Sequence, residues 1–277
     1  MPQSNVGQIV DASLGLDTEG YVHQLNFYYP REGGIQALIN SLEEKLQDKI
    51  IFDFNINKIE KIEDSWLISN GKEYIKCKEI ISTIPLFDLI YSLKNVPKKV
   101  LDAVDGLRYN SLITVMIGFA LHDMDNSSNN GSNISWLYIP DSSCISHRVS
   151  FPSNYTDTVV PSGKSSVLAE ITYNNNCNIS QLSDKDIIDN IINYLDQYNL
   201  INKNTIEYTK IKRIKYGYVV NDLNYQKNIL IIREYLKNMG IYIVGRFSEW
   251  EYYNMDACIR SAMNFVYGWR YYGKHGN

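Results

Sequence analysis

Several features that mark common classes of protein are scarce or absent in this sequence. The 277 residues include only four cysteines, Cys77, Cys144, Cys177 and Cys258, which are widely separated and form no Cys-x-x-Cys pair. This spacing excludes a zinc ribbon or a disulfide framework and favours isolated small hydrophobic side chains in a reducing compartment. The four histidines also lack metal-ligand spacing, so no metal site is predicted.

Long apolar runs and an excess of basic residues are missing as well. No apolar run approaches the ~18 residues that cross a bilayer, and no basic-then-apolar segment marks an N-terminal signal. A net charge of −4 excludes the basic footprint of a nucleic-acid-binding surface. P-loop, His-Glu-x-x-His and Gly-x-Ser-x-Gly motifs do not occur. We therefore expect a cytoplasmic protein with no membrane span and no nucleic-acid partner.

The composition that is present is globular, with 44% hydrophobic and 21% charged residues. The length allows one large domain or two ordinary ones. The 22 tyrosines, with many Asn, Ile and Lys residues, indicate an AT-rich genome rather than a chemistry specific to tyrosine.

Apolar periodicity predicts helices and strands that are mixed but do not repeat as parallel βαβ units, which indicates an α+β fold. Helices are predicted at residues 34–46, 86–93, 98–107, 183–195, 228–237 and 255–267, the fourth with Ser183 as N-cap. Strands are predicted at residues 50–62, 66–68, 74–84, 112–121, 135–139, 147–151, 165–173, 204–220 and 241–244. Asn70-Gly71 predicts a hairpin turn because both positions tolerate positive φ, and residues 123–135 predict a loop.

The segment from Gly245 to Asp256 lies between the strand 241–244 and the last helix. Glycine at a strand end lets a ligand approach the backbone, and the free N–H groups near Met255 and Asp256 favour an anion or a polarised carbonyl. These residues fit a ligand site, but they also fit a plain strand–turn–helix with a buried tryptophan.

A second candidate site contains Tyr138 and, ten positions later, Arg148. Arginine suits phosphate because its planar fork donates two hydrogen bonds, although a surface ion pair at a strand edge explains Arg148 as well. Glu32, Glu170 and His147 are isolated, and solvated surface or core pairing explains them, so the catalytic residues stay unassigned.

Taken together, these segments resemble FAD-dependent enzymes of the amine-oxidase and protoporphyrinogen-oxidase type, and in their motifs the UDP-galactopyranose mutases above all. Gly245-Arg246, an aromatic stretch and Asn254-Met255-Asp256 are similar to the C-terminal flavin-binding motif of these enzymes. Tyr138 with Arg148 is similar to the pair that binds the UDP diphosphate. The resemblance covers most of residues 25–268 in collinear order, including the loop 28–35, the strand around Ile59 and the turn 81–85.

The resemblance implies which residues form the sites. The implied cofactor contacts, for FAD, are Gly245, Arg246, Asn254, Met255, Asp256 and the backbone of Ile59. The implied contacts with a nucleotide-sugar substrate are Tyr138, Arg148, Tyr218, Tyr252 and Arg31.

The resemblance also implies a partial α/β FAD-binding domain interleaved with a substrate domain built on an antiparallel sheet. Residues 1–110 would be the remnant of the FAD domain, 111–225 the substrate domain, and 226–277 the strand and helix that return to the FAD domain. No Gly-x-Gly-x-x-Gly occurs in the sequence, so the N-terminal Rossmann βαβ unit is expected to be missing. A separate chain could supply that half.

If completed in this way, the chain is expected to isomerise UDP-galactose between its pyranose and furanose forms with reduced FAD, for cell-surface polysaccharide biosynthesis. Two alternatives remain open: an FAD-dependent oxidoreductase of the amine-oxidase or protoporphyrinogen-oxidase type, and an inactive fragment or binding module. The chain alone is expected to be an incomplete enzyme.

Overall fold

The computed structural model of the chain describes residues 28–121, 134–174 and 177–272, to which all structural statements below refer. The helices are α1 (Gln36–Glu43), α2 (Leu86–Ser92), α3 (Lys98–Asp105), α4 (Asp184–Gln197), α5 (Tyr225–Met239) and α6 (Met255–Tyr272). The strands are β1 (Lys58–Ile62), β2 (Ser65–Ser69), β3 (Tyr74–Cys77), β4 (Ile80–Ser82), β5 (Arg108–Ala120), β6 (Trp136–Tyr138), β7 (Arg148–Ser150), β8 (Lys164–Tyr173), β9 (Ile206–Val220) and β10 (Ile241–Ile243).

The largest sheet is antiparallel and has five strands in the order β6-β7-β8-β5-β9. Alternate residues of the central strands, such as Val115 and Ala169, are completely buried. They share a core with the buried face of α4, formed by Ile187, Ile191 and Leu195. Because side chains alternate between the faces of a strand, residues such as Met116 and Leu168 lie on the opposite face. That face lines a cleft.

A second core is formed by two stretches of the chain, one that precedes β5 and one that begins near the end of β9. It contains residues between Ile59 and Leu107 together with residues between Tyr216 and Trp250. Strands β4 and β10 pair in parallel here, with Ile241 opposite Ile80, while β1, β2 and β3 form a separate antiparallel sheet. The predicted α+β fold is confirmed. The predicted domain limits stay a prediction.

The structure confirms most of the predicted elements and corrects two. The extended segment predicted at residues 50–62 is a strand only from Lys58, and Asp53 has a positive φ of 58° that breaks an extended chain. The segment predicted at 74–84 divides into β3 and β4, which belong to different sheets. The loop predicted at 123–135 lies almost wholly outside the described residues.

The Asn-Gly turn and the Ser183 cap have the expected local chemistry. Gly71 adopts a φ of +89°, and the Asn70 side chain accepts hydrogen bonds from the N–H groups of Lys72 and Glu73. The hydroxyl of Ser183 accepts a bond from the Asp186 N–H at 3.2 Å, as an N-cap does. Of the helices in the described ranges, none combines the length and the apolar character that a bilayer span needs.

Candidate functional site

Arg148 and Glu170 lie opposite each other on neighbouring strands of the five-stranded sheet. The register of β7 and β8 pairs the two residues directly, and both line the cleft on the face opposite α4. Directly opposed residues have Cβ atoms about 4.5–5.5 Å apart, so side chains of opposite charge can meet there. The sheet register therefore creates this ion pair.

The carboxylate of this ion pair is largely removed from water, while the Arg148 side chain is partly exposed. Glu170 is 7% exposed, and its Oε1 accepts hydrogen bonds from Nε of Arg148 at 3.1 Å and from Nη2 at 2.5 Å. Burial opposes the charge of Arg148, but the hydrogen bonds and the charge of Glu170 outweigh it and raise the pKa of Arg148. Arg148 thus stays a fixed cation in the wall of the cleft.

Tyr218 forms a hydrogen bond with the second oxygen of the same carboxylate. Its hydroxyl donates to Oε2 of Glu170 at 3.1 Å. Burial and the negative charge of Glu170 raise the pKa of Tyr218 to about 12, so this phenol remains a protonated donor at neutral pH. A bulge in β9 between its pairings with Asn110 and Leu112 lies just before Tyr218. Gly217 is required in this bulge because a Cβ there would lie 2.8 Å from Cβ of Leu112.

Ring contacts extend this arrangement to Tyr252, Arg246 and Tyr138. The rings of Tyr218 and Tyr252 stack with centroids 5.9 Å apart and planes at 15°, and the Arg246 guanidinium lies 4.6 Å from the Tyr252 centroid. The guanidinium of Arg148 lies 5.9 Å from the ring of Tyr138. We call these six residues the Glu170 network: Tyr138, Arg148, Glu170, Tyr218, Arg246 and Tyr252.

Arg246 has main-chain partners that fix its position. Its Nη1 donates to the carbonyl of Tyr253 at 2.5 Å, and its Nη2 donates to the carbonyl of Gly217 at 3.1 Å. The side chain therefore ties the segment 245–253 to strand β9, in addition to any contact with a cofactor.

The cleft beside the network has a volume of about 920 Å³, which is in the range of small-molecule sites. Its lining is mostly apolar and aromatic, with Arg148 and Glu170 among the few charged groups. Met255, the first residue of α6, also reaches this cleft. Of the predicted site residues, Arg148 from the substrate set and Met255 from the flavin-binding segment thus line the same cavity.

The segment that follows β10 has features that fit a polar, anionic group. Gly245 has a φ of +88°, and a Cβ added there would have no atom within 4 Å, so space is open at this backbone position. The N–H groups of the first turn of α6 have no partner within the helix. Two buried hydroxyls, those of Ser82 at the end of β4 and Ser248 in the turn after β10, have no hydrogen-bond partner among the described residues. Ligands bind at the carboxyl ends of parallel strands, which is where this segment begins.

Four of the remaining predicted residues are not members of the network. Ile59 is buried in β1, where its carbonyl accepts the Lys94 N–H at 3.0 Å. Arg31 is exposed, and its carbonyl accepts the hydroxyls of Thr156 and Thr158. Asn254 and Asp256 are exposed at the start of α6. Within the described residues, no hydrogen bond or ring contact joins Ile59 or Arg31 to the Glu170 network.

Glu170 is the member of the network that the sequence did not predict as a site residue. In the sequence it is an isolated carboxylate, for which core pairing was one of the two explanations, and the structure shows that it pairs with Arg148. The sequence does contain one indication of its role. Glu170 is a charged residue two positions after Leu168, on the same face of the predicted strand, where the alternation would place another apolar residue. The ion-pair explanation for Arg148 also holds, but the pair lies in the cleft wall and not on the outer surface.

The fold of the chain matches part of the fold that UDP-galactopyranose mutase shares with oxidases of the amine-oxidase type, which confirms the resemblance at the level of fold. A structure of reduced UDP-galactopyranose mutase matches 88% of this chain and 52% of that chain, with a TM-score of 0.77 and 23% identity. A protein described as a protoporphyrinogen oxidase from Exiguobacterium sp. matches 85% and 50%, with a TM-score of 0.67 and 17% identity. A putrescine oxidase variant matches 85% and 52%, with a TM-score of 0.62 and 12% identity.

The chain thus spans about half the length of the solved structures that it matches. No protein-family model and no curated protein sequence matches it.

Proposed function

We propose that this chain is the substrate-binding part of a flavin-dependent enzyme that isomerises a nucleotide sugar, as UDP-galactopyranose mutase does. The observation that carries the proposal is a cluster beside the cleft: Arg148 and Tyr218 donate to the Glu170 carboxylate, Tyr138 lies against Arg148, and Tyr252 stacks on Tyr218. Guanidinium and phenol groups donate the hydrogen bonds that a diphosphate accepts. The fold shared with a mutase structure supports the same assignment.

In this proposal the residues of the chain bind and orient the substrate. Arg148 and the tyrosines hold the diphosphate, while the apolar lining of the cleft keeps bulk water from the sugar. Gly245, Arg246, Asn254, Met255 and Asp256 would hold FAD, with the open backbone position and the helix N-terminus suited to its charged and polar edges. Reduced FAD, when bound, would supply the nucleophile for exchange at the sugar's anomeric carbon.

The FAD site is proposed to need further polypeptide, which a separate chain could supply. In the described residues β4 and β10 form a parallel sheet of only two strands, whereas parallel sheets are normally larger and covered on both faces. Apolar side chains such as Ile81 and Tyr242 are 53% and 38% exposed on this pair. A nucleotide-binding βαβ unit that continues the sheet would cover such surface.

Titration calorimetry of the chain with UDP tests the substrate assignment. We expect UDP to bind, and we expect Arg148→Lys to weaken binding by about tenfold, because lysine loses the planar fork while keeping the charge. Arg213→Lys is the control, since Arg213 on β9 forms a more exposed ion pair with Asp184 at the far side of the sheet from β7. A wild-type chain that does not bind UDP would contradict the nucleotide-sugar proposal.

The flavin absorbance spectrum, recorded for the chain alone and with excess FAD, tests the cofactor assignment. We expect stable flavin uptake only after the nucleotide-binding half of a UDP-galactopyranose mutase is added as a separate polypeptide. In that assembly Gly245→Ala should abolish flavin uptake. Gly240→Ala is the control and should leave uptake unchanged, since Gly240 at the end of α5 has a similar φ of +78° and equally open surroundings. Flavin binding by the chain alone would contradict the need for completion, and absence of flavin from the assembly would contradict the cofactor role.

A flavin-dependent oxidoreductase is the second candidate, and the apolar lining of the cleft is the observation that favours it. An oxidase substrate without a phosphate group would fill such a cleft without using Arg148. Reduction of the flavin in the assembly by an amine or a porphyrinogen, together with no affinity for UDP, would identify this class. UDP binding without turnover in the assembly would instead indicate an inactive binding module.

A further inference from the structure

We propose that Glu170 is a positioning residue that fixes Arg148 and Tyr218 as the donors of the diphosphate site. The proposal rests on the proposed function, and it assigns a role to a carboxylate that does not itself suit contact with a phosphate. The charge of a buried anion next to an anion-binding site repels the ligand and lowers its affinity. Glu170 must therefore raise the affinity in another way.

The geometry supplies that gain. One oxygen of Glu170 accepts both Nε and Nη2 of Arg148, and the other accepts the hydroxyl of Tyr218. A single side chain thereby sets the orientation of two donors, one on β7 and one on β9. Strands β8 and β5 lie between these two strands in the sheet. Donors that are already oriented lose less conformational entropy when the ligand binds.

The surroundings of Glu170 make the arrangement rigid. Its strand β8 is paired on both sides, with Arg148 opposite on β7 and Thr114 opposite on β5. The next residue, Ile171, is completely buried in the core against α4. Tyr218 is held in turn by its stack on Tyr252, so the carboxylate has well-fixed partners on both of its oxygens.

The test compares UDP and uridine binding to the 277-residue chain and to Glu170→Gln. Loss of a charge-assisted hydrogen bond is typically worth about tenfold in affinity, so we expect Glu170→Gln to weaken UDP binding by about tenfold. Uridine lacks the diphosphate, and its affinity should change little. A merely structural defect would lower the affinity for both ligands together. Glu60→Gln, which removes a carboxylate paired with Lys58 and Lys94 far from the cleft, is the matched control.

A second variant covers the case in which Glu170→Gln does not fold. Glu170→Asp keeps the charge but is shorter by one methylene, so it should recover part of the UDP affinity while the circular dichroism spectrum stays that of the wild type. We also expect Tyr218→Phe to weaken UDP binding less in the Glu170→Gln background than in the wild type, because the two changes remove the same interaction.

The outcomes separate the two proposals. If the wild-type chain does not bind UDP, the proposed function fails and this inference falls with it. If the wild type binds UDP and Glu170→Gln binds it equally well or more tightly, the substrate assignment stands and the positioning role is overturned. Tighter binding in that variant would mean that Glu170 only opposes the ligand's charge.

Discussion

Tyr218 shows how one side chain can report on the electrostatics of the whole site. Its hydroxyl is a donor to Glu170, and its ring stacks on Tyr252 and lies 5.6 Å from the guanidinium of Arg246. Burial disfavours loss of the phenolic proton most strongly, the negative charge of Glu170 adds to this effect, and Tyr252 contributes further. The raised pKa of Tyr218 is therefore a property of the Glu170 contact as well as of burial.

This raised pKa predicts a stability change at alkaline pH. The pKa of Tyr218 is raised from 10.0 to about 12, so the folded state holds the proton more tightly than the unfolded state does. The stabilisation is complete below pH 10 and is lost as the pH rises towards 12. We expect the free energy of unfolding to fall over this window, and to fall less in Tyr218→Phe, as measured by urea unfolding at several pH values.

Other tyrosines with raised pKa values, among them Tyr216 and Tyr225, contribute to the same fall in both proteins. The informative quantity is therefore the difference between wild type and Tyr218→Phe, with Tyr74→Phe at an exposed position as the control. Parallel curves for wild type and Tyr218→Phe would show that neither burial nor the Glu170 contact raises the pKa of Tyr218.

At the scale of elements, helix α4 supports the sheet that carries the cleft. Three of its residues are completely buried against the face opposite Arg148. The helix begins with the Ser183 cap, and Asp184 and Asp186 in its first turn suit the positive end of the helix dipole. The position of the cleft wall therefore depends on a helix whose start is defined by local chemistry.

Ser183→Ala is expected to lower the free energy of unfolding by about 1 kcal/mol, because the Asp186 N–H loses its side-chain acceptor. Urea unfolding followed by circular dichroism measures the change. Ser180→Ala removes a nearby exposed hydroxyl that donates to the Cys177 carbonyl, and it should have a smaller effect. Equal effects of the two substitutions would show that the cap does not stabilise α4.

Local chemistry also explains which elements could be predicted from the sequence. The capped helix, the Asn70-Gly71 turn and the long apolar strands depend on neighbouring residues, and their positions were predicted to within a few residues. The pairing of β4 with β10 joins segments about 160 residues apart, and short apolar runs carry no signal for a partner at that distance. The division of residues 74–84 into two strands follows from that pairing and was missed for the same reason.

The site residues also differ in whether the local sequence could identify them. Tyr138 and Arg148 were identified from their spacing in a resembling segment, whereas Glu170 became visible only through the register of β7 on β8. Helix α1 gives a further example: its periodicity predicts a helix correctly, but Ile39 and Leu42 are 49% and 51% exposed. An apolar stripe predicts that a helix forms, without identifying the surface that covers it.

At the scale of the whole molecule, the two cores differ in how completely the described residues enclose them. Strand β5 is hydrogen-bonded along its length to β8 on one side and β9 on the other. Strands β4 and β10 have only each other as ladder partners in the described residues. The five-stranded sheet therefore has the fuller set of backbone hydrogen bonds, and the parallel pair has the more open edges.

This difference predicts a pattern of amide hydrogen exchange. We expect the amides of β5 to exchange slowest, and those of β4 and β10 to exchange much sooner, because opening a two-stranded ladder breaks fewer bonds. If a nucleotide-binding unit continues the parallel pair, adding that half should slow exchange in β4 and β10 and leave β5 unchanged, as followed by mass spectrometry of peptic fragments. Protection that rises equally in both sheets would point to a general stabilisation, and no change in either would argue that the open edge of this pair is not where further polypeptide binds.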